Sequence, residues 1–295
     1  MPSSRRAQSL SVLLRFGLAC YPVCSNCLGQ LQCRRFQVST PVAARYAQGA
    51  VLLAVEFDAS FLDRGRLYAV GDIHGRSDLL ERMIAAIAAD LENNPVSERL
   101  TVTLGDYIDR GSDSRGVIER LITNPFPSDF IALKGNHEVI LEKFLQDPSV
   151  ADEWRRFGAL ETLSSYGVAV TAMMVGKGYE QAAAGLAAAM PQTHLQFIAS
   201  LRSSFALAKH FFCHAGVRPG VALEQQVEDD LLWIREPFLT SRADFGKIVV
   251  HGHTPTEKPE VRSNRINVDT GAYMTNVLTC AVLDAGPIRF LSVRS

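Results

Sequence analysis

The sequence predicts an α/β fold, and three regions of different character indicate it. From residue 66 to 146, short apolar runs alternate with helical patterns. Residues 148–202 are Ala-rich and helical, and the C-terminal third is rich in strand-like runs. Alternation of strand and helix is typical of βαβ units and a largely parallel sheet. We therefore expect a parallel sheet, then a helical cap over residues 148–202, then a second sheet packed on the first.

Three strands and three helices alternate in the part of the chain that is predicted to form the first sheet. Three apolar runs are interpreted as buried strands: RLYAV, RLTVTL and DFIALK. A helical pattern follows each of them: SDLLERMIAAIAADLENN, SRGVIERLI and HEVILEKFLQ. In the first of these, the apolar residues recur at the spacing of one helix face. Beyond residue 202, turns containing Gly, Pro or Asn separate the strand-like runs of SFALAKHFFCHAG, GKIVVHG, NRINVDTG, NVLTCAVLD and IRFLSV.

Residues 1–50 differ in composition from the rest of the chain. No acidic residue precedes Glu56, and the stretch before it is rich in arginine. We interpret residues 1–50 as a leader or disordered segment, with an organelle targeting peptide over residues 1–45 as an alternative. The segment also holds four cysteines, and a metal or disulfide site is a further alternative for Cys20, Cys24, Cys27 and Cys33.

The overall composition argues against several classes of protein. Apolar residues make up 47 %, enough for a sizeable core, and a net charge of −1 gives no basic field for nucleic acid. No apolar run reaches the roughly 18 residues that a transmembrane helix needs. Cys213 and Cys280 are isolated in apolar runs, which is typical of a reducing compartment. We therefore expect a cytoplasmic protein with no nucleic-acid or membrane partner.

Short polar motifs follow the predicted strands in five places. They are GDIHG, GDYIDRG, GNHE, HAG and HGHT. A lone aspartate after a strand is ordinarily a turn former, and a lone histidine near an apolar run is ordinarily a core or loop residue. Their recurrence in five loops favours a shared site, because open α/β folds bind ligands at the carboxyl ends of their strands.

The residue types in these loops indicate metal chemistry. Carboxylates, imidazoles and one amide oxygen suit Mn²⁺, Fe or Zn²⁺, and the set lacks the thiolates of a structural zinc site. Asp106 could bridge two ions through its two oxygens. Two ions roughly 3.5–4 Å apart would hold a bridging water, lower its pKa and clamp a phosphoryl group for in-line attack. We expect two divalent ions, with Mn²⁺ favoured and Fe or Zn²⁺ as alternatives.

The five motifs, in this order, resemble the phosphoprotein phosphatase family of the calcineurin-like metallophosphoesterases. The resemblance is greatest to the bacterial and bacteriophage serine/threonine phosphatases, and the pair GDYIDRG and GNHE is its most specific part. It extends from residue 66 to about residue 285. It implies a four-layer α/β/β/α sandwich with two mixed sheets over residues 66–293, in which residues 148–202 form the cap. It also implies hydrolysis of phosphoserine or phosphothreonine in proteins.

The resemblance further implies a ligand set for two metal ions. The first ion would be bound by Asp72 and His74, and Asp106 would bridge both ions. The second ion would be bound by Asn136, His214 and His253. Many relatives have His-Gly-Gly where this chain has HAG, but His214 itself is retained.

Four further residues receive catalytic roles from the resemblance. His137 would be the general acid that protonates the leaving alkoxide, and Asp109 would orient it and keep it charged. Arg110 would hold the phosphate oxygens with a bidentate geometry that lysine cannot supply. Arg235, in DLLWIREPF, is the candidate for a second phosphate arginine, with an ordinary surface or salt-bridge arginine as the alternative.

The roles of several residues near these motifs are not decided by the sequence. His251 would share a face with His253 if the strand continued, and we assign it to support of a ligand or to a substrate-side hydrogen bond, with direct metal contact as the alternative. Asp269 and Thr270 are expected in a turn, with a position in the site as the alternative, and Tyr273 has no matched role. Pro255 stands where phosphodiesterase relatives carry the second histidine of GHTH, which favours phosphomonoesters.

Other functions remain in competition at this point. The first alternative is a hydrolase of dinucleoside polyphosphates of the diadenosine tetraphosphate type, because relatives with the same motifs perform that reaction. The metal motifs do not distinguish a protein phosphatase from a dinucleoside polyphosphate hydrolase. The cap over residues 148–202 would distinguish them, because it would shape the substrate groove. A binding protein that has lost catalysis is disfavoured, because such proteins typically lose a ligand or the acid histidine, and here all are present. The sequence does not predict the oligomeric state.

Overall fold

The computed structural model describes residues 60–295, so the predictions made for residues 1–50 lie outside the described part. The first half of the described chain carries the expected βαβ units. In chain order it comprises α1 (Phe61–Arg64), β1 (Gly65–Val70), α2 (Ser77–Asn93), β2 (Glu98–Thr103), α3 (Ser114–Leu121), β3 (Asp129–Ala132) and α4 (Asn136–Gln146). Strands β1, β2 and β3 are neighbours and run parallel.

The segment predicted to be a cap is helical. It contains a 3₁₀ turn (Pro148–Val150) and then α5 (Ala151–Arg156), α6 (Ala159–Ser165), α7 (Thr171–Met174), α8 (Tyr179–Ala189) and α9 (Gln192–Ala199). Between residues 60 and 295, no helix is both long and apolar enough to cross a membrane.

A second sheet follows the helical segment. Its elements are β4 (Ser204–Leu207), β5 (His210–Cys213), α10 (Glu228–Trp233), β6 (Ile248–His251), β7 (Glu260–Val261) and β8 (Arg265–Asn267). The strand order is β4-β5-β6-β8-β7, with β5, β6 and β8 parallel and the two edge strands antiparallel. The sheet is therefore mixed.

The end of the chain corrects one expectation. A short helix α11 (Ala272–Thr275) leads to β9 (Val277–Leu283) and β10 (Arg289–Arg294). Both strands return to the first sheet, whose order is β10-β9-β1-β2-β3, so the C-terminal third does not all belong to the second sheet. The reason is that β9 is apolar on both faces and pairs antiparallel with β1 at the centre of that sheet.

Successive side chains of a strand face opposite sides of the sheet, and this shows which layer packs on each side. In β1, Tyr68 and Val70 face the helices, whereas Leu67 and Ala69 face the second sheet. A strand buried on both sides needs apolar residues at every position, which explains the uninterrupted run. In the second sheet, Phe212 packs between the sheets and its neighbours pack towards α10. The predicted four-layer α/β/β/α arrangement with two mixed sheets is confirmed.

One buried histidine in the second sheet makes stability depend on pH. His210 opens β5 and is 2 % exposed, and its Nδ1 finds no hydrogen-bond partner within the described residues. Burial, together with the positive charges of Lys209 and Lys247, lowers its pKa to about 4. An unfolded histidine has a pKa of about 6.5, so the unfolded chain takes up a proton that the folded chain excludes.

The unfolding free energy is therefore unaffected by His210 above pH 6.5, and it falls as the pH drops from 6.5 towards 4. We expect His210 to remove roughly 2 kcal/mol of unfolding free energy between pH 7 and pH 5. Chemical denaturation of the parent and of a His210→Phe variant at both pH values measures this, and the variant should lose less over the interval. An equal loss in the two proteins would contradict the assignment.

Candidate active site

The five motif loops all leave the carboxyl ends of strands, and the two sheets bring those ends to a common edge. GDIHG, GDYIDRG and GNHE follow β1, β2 and β3, while HAG and HGHT follow β5 and β6. The sheets are linked there by a hydrogen bond of 2.9 Å from His214 Nδ1 to the carbonyl oxygen of Leu104. All six candidate ligands are buried: Asp72, His74, Asp106, Asn136, His214 and His253.

Asp106 lies at the centre of this cluster. Its Oδ2 is 3.4 Å from His214 Nε2 and 3.5 Å from His74 Nε2. The potential ligand atoms form two groups that share Asp106, one with His74 and His137 and one with His214 and His253, and within each group they lie inside 4.8 Å. A carboxylate shared between two such groups is the arrangement that a two-ion centre requires. The first group contains His137, which the sequence assigned to acid catalysis, and does not contain Asp72.

Backbone carbonyl groups orient two of the imidazoles towards the cluster. Nδ1 of His74 is 2.8 Å from the carbonyl oxygen of Ile108, and Nδ1 of His214 faces Leu104 in the same way. A carbonyl oxygen only accepts, so Nδ1 carries the hydrogen in both rings. Nε2 is then the nitrogen directed towards Asp106 in both rings, which is how backbone carbonyls commonly orient metal-binding histidines.

Asp72 supplies a direct indication that a cation belongs here. Its Oδ2 accepts a hydrogen bond of 3.0 Å from the backbone N–H of His253, whereas Oδ1 is buried and has no partner between residues 60 and 295. Burial and the nearby charge of Asp269 raise the pKa of Asp72 well above its ordinary value. Gly252 makes room for this oxygen, because a Cβ there would lie 2.0 Å from Oδ1.

The charges of the remaining ligands also suit a cation. Burial opposes ionisation of Asp106, but the positive charges of His137 and His214 hold its pKa well below the ordinary value. Burial and the charge of His214 lower the pKa of His253 to about 2, so this ring stays neutral. An ionised carboxylate and a neutral imidazole are the protonation states that bind metal. Burial would lower the pKa of His214, but the carboxylates of Asp106 and Asp72 raise it to about 10, so this ring would release a proton when metal binds. The donor set therefore fits two divalent ions.

The backbone of the site is strained at several positions. His74, Asp106, Asp109, Arg110 and His253 all have positive φ, between 46° and 70°. Such left-handed conformations cost about 1–3 kcal/mol each for residues other than glycine, and they persist only where the surroundings enforce them. The loops therefore need strong local restraints.

Glu138 restrains the loop that carries Asp106, and the sequence analysis did not single it out. Its Oε2 accepts the backbone N–H groups of Asp106 and Gly135 at 3.0 and 2.9 Å, and Oε1 accepts those of Tyr107 and Ile108 at 2.8 and 3.4 Å. The side chain is fully buried, so the carboxylate joins the loop after β2 to the start of α4. The signal was present, because Glu138 ends the motif GNHE.

His137 and Asp109 form a close pair beside the ligand cluster. His137 Nδ1 is 2.6 Å from Asp109 Oδ2, while His137 Nε2 points the other way, 3.7 Å from Asp106 Oδ2. Burial would lower the pKa of His137, but the carboxylates of Asp106 and Asp109 raise it above its ordinary value. The ring is therefore set to hold a proton at Nε2, where a leaving group could receive it. Trp154 and Thr162, which the sequence did not indicate, also contact Asp109.

A cavity of about 270 Å³ opens over these groups. Its lining combines candidate ligands, two arginines and an aromatic wall: His74, Asp106, Arg110, Asn136, His137, Phe157, Trp233, Arg235, His253, Pro255, Asp269 and Tyr273. Arg110 donates to the Tyr273 hydroxyl at 2.8 Å and lies 4.6 Å above the centre of its ring. Arg235 is exposed at the rim.

His251, Asp269 and Thr270 differ in their position relative to the cavity. Strand β6 ends at His251, and the positive φ of His253 turns the chain, so the condition for a shared face of the two histidines is not met. His251 is buried against Phe238, with ring centres 5.0 Å apart, and lies outside both ligand groups and the cavity lining.

Asp269 both accepts the backbone N–H of Gly271 at 2.8 Å and lines the cavity. Thr270 is absent from the cavity lining, and its hydroxyl bonds to the carbonyl oxygen of Val277 at 2.9 Å.

The fold and the site define a class of protein. The profile of the calcineurin-like phosphoesterases matches residues 65–278, and the chain belongs to this family. Its members are metallophosphoesterase hydrolases with a two-metal centre, in agreement with the two ligand groups.

The names of individual relatives describe two kinds of phosphatase. The chain is 28 % identical over 226 residues to serine/threonine-protein phosphatase 1 of Salmonella typhimurium, covering 73 % of this chain and 90 % of that protein. It is 24 % identical over 220 residues to an asymmetrical bis(5'-nucleosyl)-tetraphosphatase of Oceanobacillus iheyensis, covering 71 % and 85 %. A solved structure provisionally described as a diadenosine tetraphosphatase matches with a TM-score of 0.55 and 21 % identity over 78 % of this chain and 94 % of that chain. The last comparison shows the shared fold.

Loss of the Glu138 carboxylate should loosen the metal centre. In a Glu138→Gln variant, an amide NH₂ would face backbone N–H groups, and buried donors would lose their acceptor. We expect the unfolding free energy to fall by roughly 1–3 kcal/mol, and the affinity for divalent ions to fall with it. Denaturation and metal titration measure the two effects.

Glu142→Gln is the matched control, one turn further along α4. Glu142 pairs with Lys134 at 2.9 Å and is partly exposed, so the variant should change stability by at most about 1 kcal/mol. Equal effects of the two variants would argue against the role of Glu138.

Proposed function

We propose that this protein is a two-metal phosphomonoesterase that removes phosphate from phosphoserine or phosphothreonine in proteins. The observation that carries the proposal is the His137–Asp109 pair, whose free ring nitrogen faces the ligand cluster at the floor of a cavity of about 270 Å³. An acid, two arginines and four of the six candidate ligands line this cavity, and they are the parts that hydrolysis of a phosphate ester needs.

The six ligands divide between two ions. Asp72 and His74 would hold one, Asn136, His214 and His253 the other, and Asp106 would contact both. When bound, two divalent ions would lower the pKa of a water molecule and neutralise the oxygens of the phosphoryl group. Mn²⁺ is the favoured metal, because the donor set combines carboxylate, amide and imidazole groups.

The remaining residues act on the substrate. His137 would donate the proton on Nε2 to the leaving oxygen, and the Asp109 carboxylate would stabilise the charged ring before the transfer. Arg110 would hold a phosphate oxygen, with its guanidinium placed by Tyr273. Arg235 at the rim would supply a second cation for the same group.

The size of the cavity favours a phosphorylated side chain. About 270 Å³ lies at the lower end of the range for small-molecule sites, roughly 300–1,000 Å³. A phosphoryl group with part of a serine or threonine side chain suits this volume, while the rest of a peptide would lie on the surface. The Salmonella relative, matched over 90 % of its length, supports this reading.

A dinucleoside polyphosphate is the second candidate, and the aromatic wall is the observation that favours it. Phe157 and Trp233 meet edge to face at 6.0 Å between ring centres, and Arg235 is nearby at the rim. Aromatic rings can stack on a nucleobase, and a second arginine could hold a distal phosphate. The Oceanobacillus relative supports this alternative.

Metal dependence tests the first part of the proposal. Protein stripped with a chelator should lose hydrolysis of a phosphothreonine peptide, and Mn²⁺ should restore it, because the water and phosphate need the two ions. Bound metal, measured by mass spectrometry, should approach two ions per chain. Asp106→Asn should lower the affinity at both positions, whereas Asp244→Asn, in an exposed loop, should not. If no divalent transition ion restored activity, the two-metal mechanism would be wrong.

A direct comparison of substrates tests the second part. With Mn²⁺ present, we expect kcat/KM for a phosphothreonine peptide to exceed that for diadenosine tetraphosphate by about tenfold or more, a difference of roughly 1.4 kcal/mol in transition-state binding. Steady-state kinetics on the same preparation measures both. The reverse order would favour the nucleotide hydrolase, and a Trp233→Leu variant that lost only the nucleotide reaction would identify the aromatic wall as its cause.

A further inference from the structure

The carboxylate of Asp109 is held by more than His137. Asp109 is fully buried. Its Oδ2 accepts the indole N–H of Trp154 at 2.8 Å beside the bond to His137, and its Oδ1 accepts the hydroxyl of Thr162 at 2.5 Å. Two of these three donors come from the helical segment 148–202, on α5 and α6.

The Thr162 hydroxyl is fixed in one orientation. Its oxygen accepts the backbone N–H of Asp109 at 2.9 Å, and Ser114 Oγ accepts the same N–H at 3.0 Å. The hydroxyl hydrogen of Thr162 is then free to be donated to Asp109 Oδ1. The two hydroxyls also restrain Asp109 at its φ of 70°, a conformation that needs local support.

Trp154 completes the arrangement from the other side. An indole N–H is a donor only, so it faces a carboxylate oxygen in a single way. With Oδ1 bonded to Thr162 and Oδ2 to Trp154, the plane of the carboxylate cannot rotate. Oδ2 therefore stays directed at Nδ1 of His137, and the opposite nitrogen of the ring stays directed at the cavity.

We propose that Trp154 and Thr162 are positioning residues that aim the proton of His137 at the leaving group, so that the helical cap is part of the proton-delivery apparatus. This rests on the proposed function, in which His137 is the general acid. General acids contribute about 10²–10⁴-fold to such reactions, and part of that depends on orientation. The cap would thus act on catalysis as well as on the shape of the substrate groove.

The test uses leaving groups of different acidity. Thr162→Val removes the hydroxyl at nearly constant volume, and Trp154→Phe removes the N–H while it keeps an aromatic ring. With full-length Mn²⁺-loaded enzyme, we expect each variant to lower kcat about tenfold on a phosphothreonine peptide with KM little changed. On 4-nitrophenyl phosphate, whose leaving group needs no proton, the loss should be less than about threefold.

Two further variants make the result decisive. Thr162→Ser restores a hydroxyl and should recover most of the kcat lost in Thr162→Val. His137→Asn removes the acid and should show the same dependence on the leaving group, only larger. Metal content and thermal unfolding of every variant confirm that it is folded and loaded.

Three outcomes would overturn the inference in distinguishable ways. Equal losses on both substrates in the Thr162 and Trp154 variants, with the dependence kept in His137→Asn, would show a structural role and leave the proposed function intact. Unchanged kcat in both variants would exclude positioning. No dependence on the leaving group in His137→Asn would remove the acid assignment itself, and the inference with it.

Discussion

The site depends on one buried carboxylate, that of Glu138, which ties the loop after β2 to the first turn of α4. Because it accepts four backbone N–H groups, it holds Asp106 in a left-handed conformation that the residue would not adopt alone. Asp106 in turn is the ligand common to both groups of metal-binding atoms. Its carboxylate lies 3.4–3.7 Å from the ring nitrogens of His74, His137 and His214.

The apolar core of the surrounding fold offsets the unfavourable free energy of such a site. Buried carboxylates, crowded imidazoles and several left-handed residues are all unfavourable in a protein interior. Two sheets packed face to face, with helices on both outer faces, bury the apolar strands that offset these costs. The orphaned oxygen of Asp72 shows where the protein alone does not balance the charge, and a bound cation would restore that balance.

The helical segment contributes both to the cavity and to the surroundings of the His137–Asp109 pair. Phe157 lines the cavity, and Trp154 and Thr162 hold the carboxylate behind His137. None of these three residues belongs to a motif, and their roles arise from contacts between residues far apart in the sequence, such as Thr162 and Asp109, 53 positions apart. In our proposals the segment both shapes the groove and sets the orientation of the acid. Relatives with the same motif loops and different helical segments could then differ in both properties.

The sequence by itself determined the α/β class, the order of the βαβ units and the loops in which the polar residues gather. Apolar periodicity and motif spacing are local properties, and they specify local structure. Only the tertiary structure decided that β9 and β10 return to the first sheet, because both sheets accept apolar strands and pairing joins distant segments. It also decided that His251 lies against Phe238 while Tyr273 meets Arg110, since a turn of the backbone at His253 and the packing of α11 set those directions.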